Sequence, residues 1–222
     1  MLDNPVWNAL ATRHAHFALG AGRVKRYPAD VAPFLATAGG EAVDSDESAD
    51  LATPGEALYL MEVNPSPPAG WEVERRSALL QMVHERRVEA TPIGDDYSVL
   101  GPGDVPDMLE LTALAFPGYF RSRTIEMGTY FGVRRDGRLV AMAGQRMFLD
   151  GCREVSGVCT HPDHRGRGHA SRLITLVVDE ILQDGLTPFL HVAGDNAGAR
   201  TAYEKLGFVV RRELSLLRVR RF

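Results

Sequence analysis

His161 to Ala170 reads HPDHRGRGHA, and the residues that follow, SRLITLVVDEIL, carry apolar side chains at helical spacing. Ala170, Leu173, Ile174, Val177, Val178 and Ile181 fall on one face of a helix over Gly168 to Leu182, which Asp184 and Gly185 close. A helix that opens straight out of a glycine loop presents unpaired backbone N–H groups and the positive end of its dipole. The pattern therefore predicts an anion site, with phosphate as the natural guest. Gly166 and Gly168, with Ser171 where a third glycine would stand, come within one residue of the dinucleotide fingerprint G-x-G-x-x-G. Context argues against that reading. The strands before the loop form an antiparallel meander and only one β-α-β unit follows, so the second half of a dinucleotide fold is missing. The sequence holds no G-K-[ST], which removes the P-loop.

Upstream, YSVL at 97–100 reads as a short strand, and Asp104 stands as N-cap to a helix over Val105 to Ala115, stopped by Gly118. TYFGVRR (129–135) and RLVAMAGQRMFL (138–149) are two strands joined by the hairpin dipeptide Asp136-Gly137. A second turn, Asp150-Gly151, leads into the strand REVSGVCT at 153–160. Downstream, PFLHV (188–192) is a short buried strand. Asn196 opens a helix whose Ala199, Tyr203 and Leu206 share a face, Gly207 stands at its end, and FVV and ELSLLRVR read as two closing strands. From Tyr97 the order is β-α-β-β-β-α-β-α-β-β.

Residues 1–95 are punctuated by AGG at 38–40, the acidic run Asp44 to Asp50 and NPSPPAG at 64–70, all loops. Between them a helix is expected near Val6 to Leu19, and strands at Ala57 to Val63 and Ser77 to His84. TPIGDD at 91–96 marks the expected boundary between a region 1–95 and a domain 96–222.

The bulk properties narrow the field. With 222 residues, 45% hydrophobic and 24% charged, the chain can bury a full core. The net charge of −4 hides an asymmetry: residues 1–95 carry 8 basic and 14 acidic side chains, residues 96–222 carry 17 and 15. That excess is far from a nucleic-acid footprint, so no nucleic-acid partner is expected. Cys152 and Cys159 lie on one extended segment that cannot bring them together, which points to a reducing compartment. The N-terminus lacks an apolar signal region and no run is long enough to span a membrane, so a cytoplasmic protein is expected.

The run VCTHPDHRGRGHA, a helix, a short strand and then NAGARTAYEKLGF resemble the GNAT superfamily of acyl-CoA-dependent N-acyltransferases. The loop signature [RQ]-x-x-G-x-[GA] is met by Arg165, Gly168 and Ala170. The second signature, N-x-x-A-x-x-x-Y-x-x-x-G-F, is met by Asn196, Ala199, Tyr203, Gly207 and Phe208. The resemblance covers residues 96–222, looks closest to the branch related to glycine N-acyltransferase, and suggests that residues 1–95 form a smaller, degenerate GNAT-like half. It implies an α/β (α+β) fold with a mixed, mostly antiparallel sheet flanked by helices.

The resemblance also implies roles. The backbone of Val158, Cys159 and Thr160 would meet the pantetheine arm of acetyl-CoA, with the Val158 N–H where the thioester oxygen gains charge, a contribution of about 3 kcal/mol. Arg165 and the N–H groups of Gly166, Arg167, Gly168, His169, Ala170 and Ser171 would hold the pyrophosphate, and Asn196 completes the coenzyme set. Tyr203 is the expected acid toward the departing thiolate. A phenol of pKa about 10 facing a thiol of about 8.5 gives up its proton uphill by roughly 2 kcal/mol, so a hydrogen bond to the thiolate matters more than full transfer. Glu154, thirteen residues before Arg167, stands at the position of the catalytic glutamate in the histone-modifying members. It is the expected base, sharing a strand face with Ser156, Val158 and Thr160.

His161, His164 and His169 cluster at the loop without a companion set of ligands, so no metal is expected. His191 is a core histidine or an aid to proton removal. Arg211, Arg212, Arg218, Arg220 and Arg221 form a basic C-terminal hairpin, either solvated or near the coenzyme 3′-phosphate. The expected activity is acetyl transfer to a primary amine by direct attack in a ternary complex, the alternative being a non-catalytic acyl-CoA-binding module. The expected partner is a small-molecule or peptide amine, with no membrane, and a homodimer is left open.

Overall fold

The computed structural model describes residues 1–39, 43–48, 50–85 and 97–222. In chain order they form α1 (Pro5–Ala11), β1 (Val24–Arg26), β2 (Leu35–Thr37), α2 (Ser45–Ser48), β3 (Ala57–Glu62), β4 (Trp71–His84) and β5 (Tyr97–Val99). Then follow α3 (Val105–Ala115), β6 (Tyr130–Arg135), β7 (Arg138–Leu149), β8 (Cys152–Thr160), α4 (His169–Gln183), β9 (Thr187–Ala193), α5 (Ala197–Lys205) and β10 (Phe208–Arg221). Eight strands make one sheet in the order β3-β10-β4-β9-β8-β7-β6-β5, and β1 and β2 pair separately. Every neighbouring pair in the large sheet is antiparallel except β8 and β9. This is the mixed, mostly antiparallel α+β architecture expected.

The end of the chain differs from its sequence reading. FVV and ELSLLRVR are not two strands but one, β10, because Arg211 is taken up as a bulge: Val210 stands opposite Met82 and Arg212 opposite Gln81. The charged break Arg211 to Glu213 looks like a turn in sequence, yet an unpaired bulge residue tolerates it equally well. The basic C-terminal hairpin therefore does not form. Instead Arg211 and Arg212 both bind Asp3, and Arg218 and Arg220 share Glu74.

Strand β4 is also longer than the predicted 77–84, since β10 pairs along it from Trp71 to His84, while β9 covers only its Leu79–Val83 portion and leaves one edge of the charged Glu72–Arg76 stretch open. The helix expected to Leu19 stops at Ala11. Beyond it the chain turns His14 inward to the Tyr27 hydroxyl (2.9 Å) and a short 3₁₀ turn follows at Ala15–Phe17. Asp104 does not cap α3; its carboxylate accepts from the Gly101 N–H (2.8 Å) and pairs with Arg134 (2.5 Å). The boundary expected at Thr91 to Asp96 lies outside the described residues. Strands from both sides of it, β3 and β4 before and β5 to β10 after, share the one sheet.

Each face of the sheet has its own core. Leu173, Ile174, Val177 and Ile181 of α4 pack on Val140, Val155, Leu190 and Phe208. On the other face, Val6, Ala9 and Leu10 of α1 meet Phe34, Met61, Met147, Phe189 and Leu216. No helix among the described residues is long and apolar enough to cross a membrane.

Two irregularities shape the middle of the sheet. The parallel pairing of β8 with β9 runs from Cys152–Thr187 to Glu154–Phe189 and ends there, although both strands continue. In β8, Ser156 stands opposite Gly144 and Cys159 opposite Met142, so Gly157 and Val158 together face Ala143 in a bulge. Gly157 takes φ +65°, and a Cβ there would meet the Tyr130 ring at 2.8 Å, so only glycine fits.

Candidate functional site

The glycine loop is built to receive an anion. Gly166 and Gly168 hold φ +74° and +77°, and a Cβ at either would meet open space. Gly168 opens α4 with no side-chain cap and no acid in the first turn, so the first N–H groups of the helix stay unclaimed, their intrahelical ladder starting only with Arg172 N–H on the Gly168 carbonyl (3.2 Å). Burial first, and then the nearby Arg135, Arg172, His164 and Arg167 side chains, hold the His169 imidazole below its ordinary range. Three buried polar atoms near the loop, Thr160 Oγ1, His164 Nδ1 and His169 Nδ1, have no hydrogen-bond partner among the described residues. Arg165 reaches back to the Thr160 carbonyl (3.4 Å), and Arg167 to that of Asp163 (3.3 Å). Unclaimed donors in a cationic setting suit a pyrophosphate. His161 Nδ1 accepts from the Asp163 N–H (3.3 Å), and no group of three His, Cys, Asp or Glu among the described residues could hold a metal.

Where β8 and β9 part, a cleft of about 1050 Å³ opens. One end is lined by Arg165, Ala170, Ile174 and Tyr203, the other by Phe34, Tyr59, Tyr119 and Arg218. Ile174 and Tyr203 belong to the α4 core, while Phe34 and Tyr59 belong to the α1 core, so the cleft passes through the sheet. The bulge decides which side chains face which end. Met142 and Gly144 share a face of β7, so Cys159 and Ser156 share a face of β8, and Val158 and Thr160 fall on the other. The single face expected for Glu154, Ser156, Val158 and Thr160 is thereby corrected: Val158 joins the α4 side, with Ser156 and Glu154 on the reverse.

Asn196 Oδ1 accepts from the Ala199 N–H (3.0 Å) and caps α5, while the residue lines the cleft. That cap aims Tyr203 into the cleft, its ring set edge-on to Phe208 at 6.0 Å. Burial, with Cys159 adding to it, pushes the Tyr203 phenol up to about 12. Burial likewise pushes the Cys159 thiol up to about 12. Cys159 packs with Met142 and Tyr130 and is a protonated wall residue rather than a nucleophile.

Glu154 sits at the parting point and is fully engaged. Arg146 donates to both its oxygens (2.8 and 2.8 Å), His191 Nδ1 lies at 2.8 Å, and the Met147 N–H at 3.3 Å. Its side chain is 1% exposed and that of Arg146 12%. Burial alone would raise its pKa, but the Arg146 guanidinium and the bonds from Arg146 and His191 outweigh it and hold the carboxyl well below the usual range. Held by Arg146 on both oxygens and by His191 on one, the carboxylate is a weaker proton acceptor than a free one. His191 is satisfied as well. With Nδ1–H given to Glu154, Nε2 accepts from the Gln81 amide (3.0 Å), whose other N–H goes to the Leu2 carbonyl (2.8 Å) and whose oxygen accepts from Arg211 (2.8 Å).

Arg146, Gln81, Tyr59, Tyr119 and Arg75 escaped the sequence reading, and Arg218 was read only as part of a basic hairpin. Only Arg146 left a signal, a charge inside the apolar run RLVAMAGQRMFL.

A family model described as the acetyltransferase (GNAT) family matches residues 105–208. Among solved structures, a GNAT-family protein from Novosphingobium aromaticivorans is 36% identical, with a TM-score of 0.89 over 100% of this chain and 98% of that one. A GCN5-related N-acetyltransferase from Kribbella flavida (16% identity, TM-score 0.62, 100% and 96% of the two chains) shares the fold. So does a GNAT-family acetyltransferase from Colwellia psychrerythraea (18% identity, TM-score 0.54, 68% and 57%). No curated protein matches the sequence.

Proposed function

The chain belongs to the GNAT acetyltransferase family, and from that premise we propose that it moves an acetyl group from acetyl-CoA to a primary amine by direct attack in a ternary complex. The observation that carries the reading is the gap between β8 and β9, which leads from the uncapped N-terminus of α4 through the sheet. In this reading the N–H groups of Gly166 to Ser171, with Arg165, hold the pyrophosphate. The pantetheine arm lies along β8, where the backbone of Val158 to Thr160 and the unpartnered Thr160 hydroxyl meet its amides. The Val158 N–H, at the bulge, would face the thioester oxygen as it gains charge. Kinship with the glycine N-acyltransferase branch rests on the motif residues alone.

The C–N bond forms first, with charge gathering on the thioester oxygen, and the C–S bond then breaks to release the CoA thiolate. A Tyr203 phenol near 12 facing a thiol of about 8.5 would transfer its proton uphill by roughly 5 kcal/mol, so Tyr203 stabilises the leaving thiolate by a hydrogen bond and solvent protonates it afterwards. The amine, with a pKa near 10 if it resembles lysine, loses one proton to water in the open acceptor end before attack and a second from its nitrogen after the C–N bond forms. Glu154 acts as a positioning group: through Arg146, His191 and Gln81 it fixes β7, β9 and β4 around the parting point. Release of CoA thiol from acetyl-CoA against a panel of amines tests the reading. Tyr203→Phe is expected to lower kcat about 10- to 100-fold with acetyl-CoA affinity unchanged. Tight acetyl-CoA binding with no release for any amine would replace it with an acyl-CoA-binding module.

A further inference from the structure

The end of the cleft remote from the glycine loop carries a charge pattern that acyl transfer by itself does not call for. Tyr59 on β3, Arg218 on β10 and Arg75 on β4 stand side by side, Arg218 opposite Tyr59 on one side and opposite Arg75 on the other. All three line the cleft. Two cations directly opposite each other on one face of a sheet repel, and an anion received between them relieves that repulsion. Glu74 reaches Arg218 (3.0 Å) and Arg220 but leaves Arg75 alone. Among the described residues Arg75 has no hydrogen bond or ion pair, and it is exposed at the mouth. The described cleft walls contain two acids. Glu154 is consumed by Arg146, and Asp195 lies at the other end beside Asn196. One monoanion would balance Arg75.

The coenzyme cannot supply that anion if it lies as proposed, because its phosphates sit on the α4 side and this row sits on the side of Leu216 and Met61. Between the row and the parting point the walls are aromatic: Tyr59 and Tyr119 stack at 4.8 Å, and Phe34 lies 6.4 Å from Tyr59. A guanidinium fork matches a carboxylate in plane and charge.

We propose that the acceptor is an amine bearing a carboxylate and an apolar body, with Arg75 and Arg218 receiving the carboxylate and Phe34, Tyr59 and Tyr119 the apolar part. This rests on the acetyl-transfer reading, and the test separates the two. The full chain, saturated with CoA, is titrated calorimetrically with N-acetylphenylalanine and with N-acetylphenethylamine, which differ by the carboxylate alone. In parallel, CoA-thiol release from acetyl-CoA is followed with phenylalanine and phenethylamine. The carboxylate compound is expected to bind at least about tenfold tighter. Arg75→Ala and Arg218→Ala each reduce that preference to under about threefold, Arg75→Lys recovers part of it, and Arg138→Gln, remote from the cleft, leaves it intact. Equal affinity, no binding of either compound, or a preference that survives both alanine variants overturns the proposal. A carboxylate preference with no thiol release for any amine keeps the anion site and overturns acetyl transfer. Release with phenethylamine and no carboxylate preference does the reverse.

Discussion

Replacing Glu154 by Gln keeps the side chain's shape and removes its charge, and the consequences follow from four contacts. In the native protein the carboxylate accepts two bonds from Arg146, one from His191 and one from the Met147 N–H. Glutamine has one acceptor oxygen, and its NH₂ must point at Arg146 or His191, donor against donor. The Arg146 guanidinium is then left buried without a counter-charge, which costs about 3–5 kcal/mol. At an m-value of about 2 kcal/mol/M, the urea midpoint falls by roughly 1.5–2.5 M.

The pH dependence supplies a second readout. The folded carboxyl titrates below its ordinary value, so the unfolded state binds more protons and stability rises with pH. The contribution is complete above about pH 5 and is lost as pH falls toward the folded value. Glu154→Gln loses this acid limb along with the stability. The double replacement Glu154→Leu/Arg146→Met, which removes both charges, is expected to recover most of the loss. Urea unfolding at pH 7 and pH 4 measures all of this. A Glu154→Gln protein within about 1 kcal/mol of the parent at pH 7 would refute the ion-pair account. So would a kcat/KM limb near neutral pH that disappears in the variant at unchanged stability, which would restore Glu154 as the base.

Three further outcomes are expected. Burial pushes the Glu62 carboxyl up to about 7, against the Asn4 amide at 2.8 Å, so stability falls as pH rises from about 4.5 to 7; Glu62→Gln should be about 2 kcal/mol more stable than the parent at pH 8 and equal to it at pH 4, by thermal unfolding. Gly157→Ala must force a Cβ toward the Tyr130 ring in a left-handed backbone, costing about 2–4 kcal/mol in urea unfolding and weakening acetyl-CoA binding; an unaffected protein would mean the bulge is not needed. With its thiol pushed up to about 12, native Cys159 should react with iodoacetamide at pH 8 on the order of 1000-fold more slowly than free cysteine, and at the ordinary rate in urea; fast native alkylation counts against its burial.

What the sequence determined was local. The glycine loop, the amphipathic α4, the Asp136-Gly137 hairpin and the Asn196 start of α5 all emerge from it, because caps, turns and helical periodicity depend on residues within a few positions of one another. Tertiary structure decided the rest. Whether Arg211 ends a strand or bulges within one depends on β4, well over a hundred residues away. The extra residue at Gly157 turns Val158 and Thr160 away from the face of Glu154, and parity counting along one strand cannot see it. Glu154 has the spacing of a base, but Arg146 and His191, brought in from neighbouring strands, make it an ion-pair partner; Arg75 and Arg218 become a pair only by register. A charge's chemistry is set by what surrounds it, and those neighbours come from strands that meet only when the sheet closes.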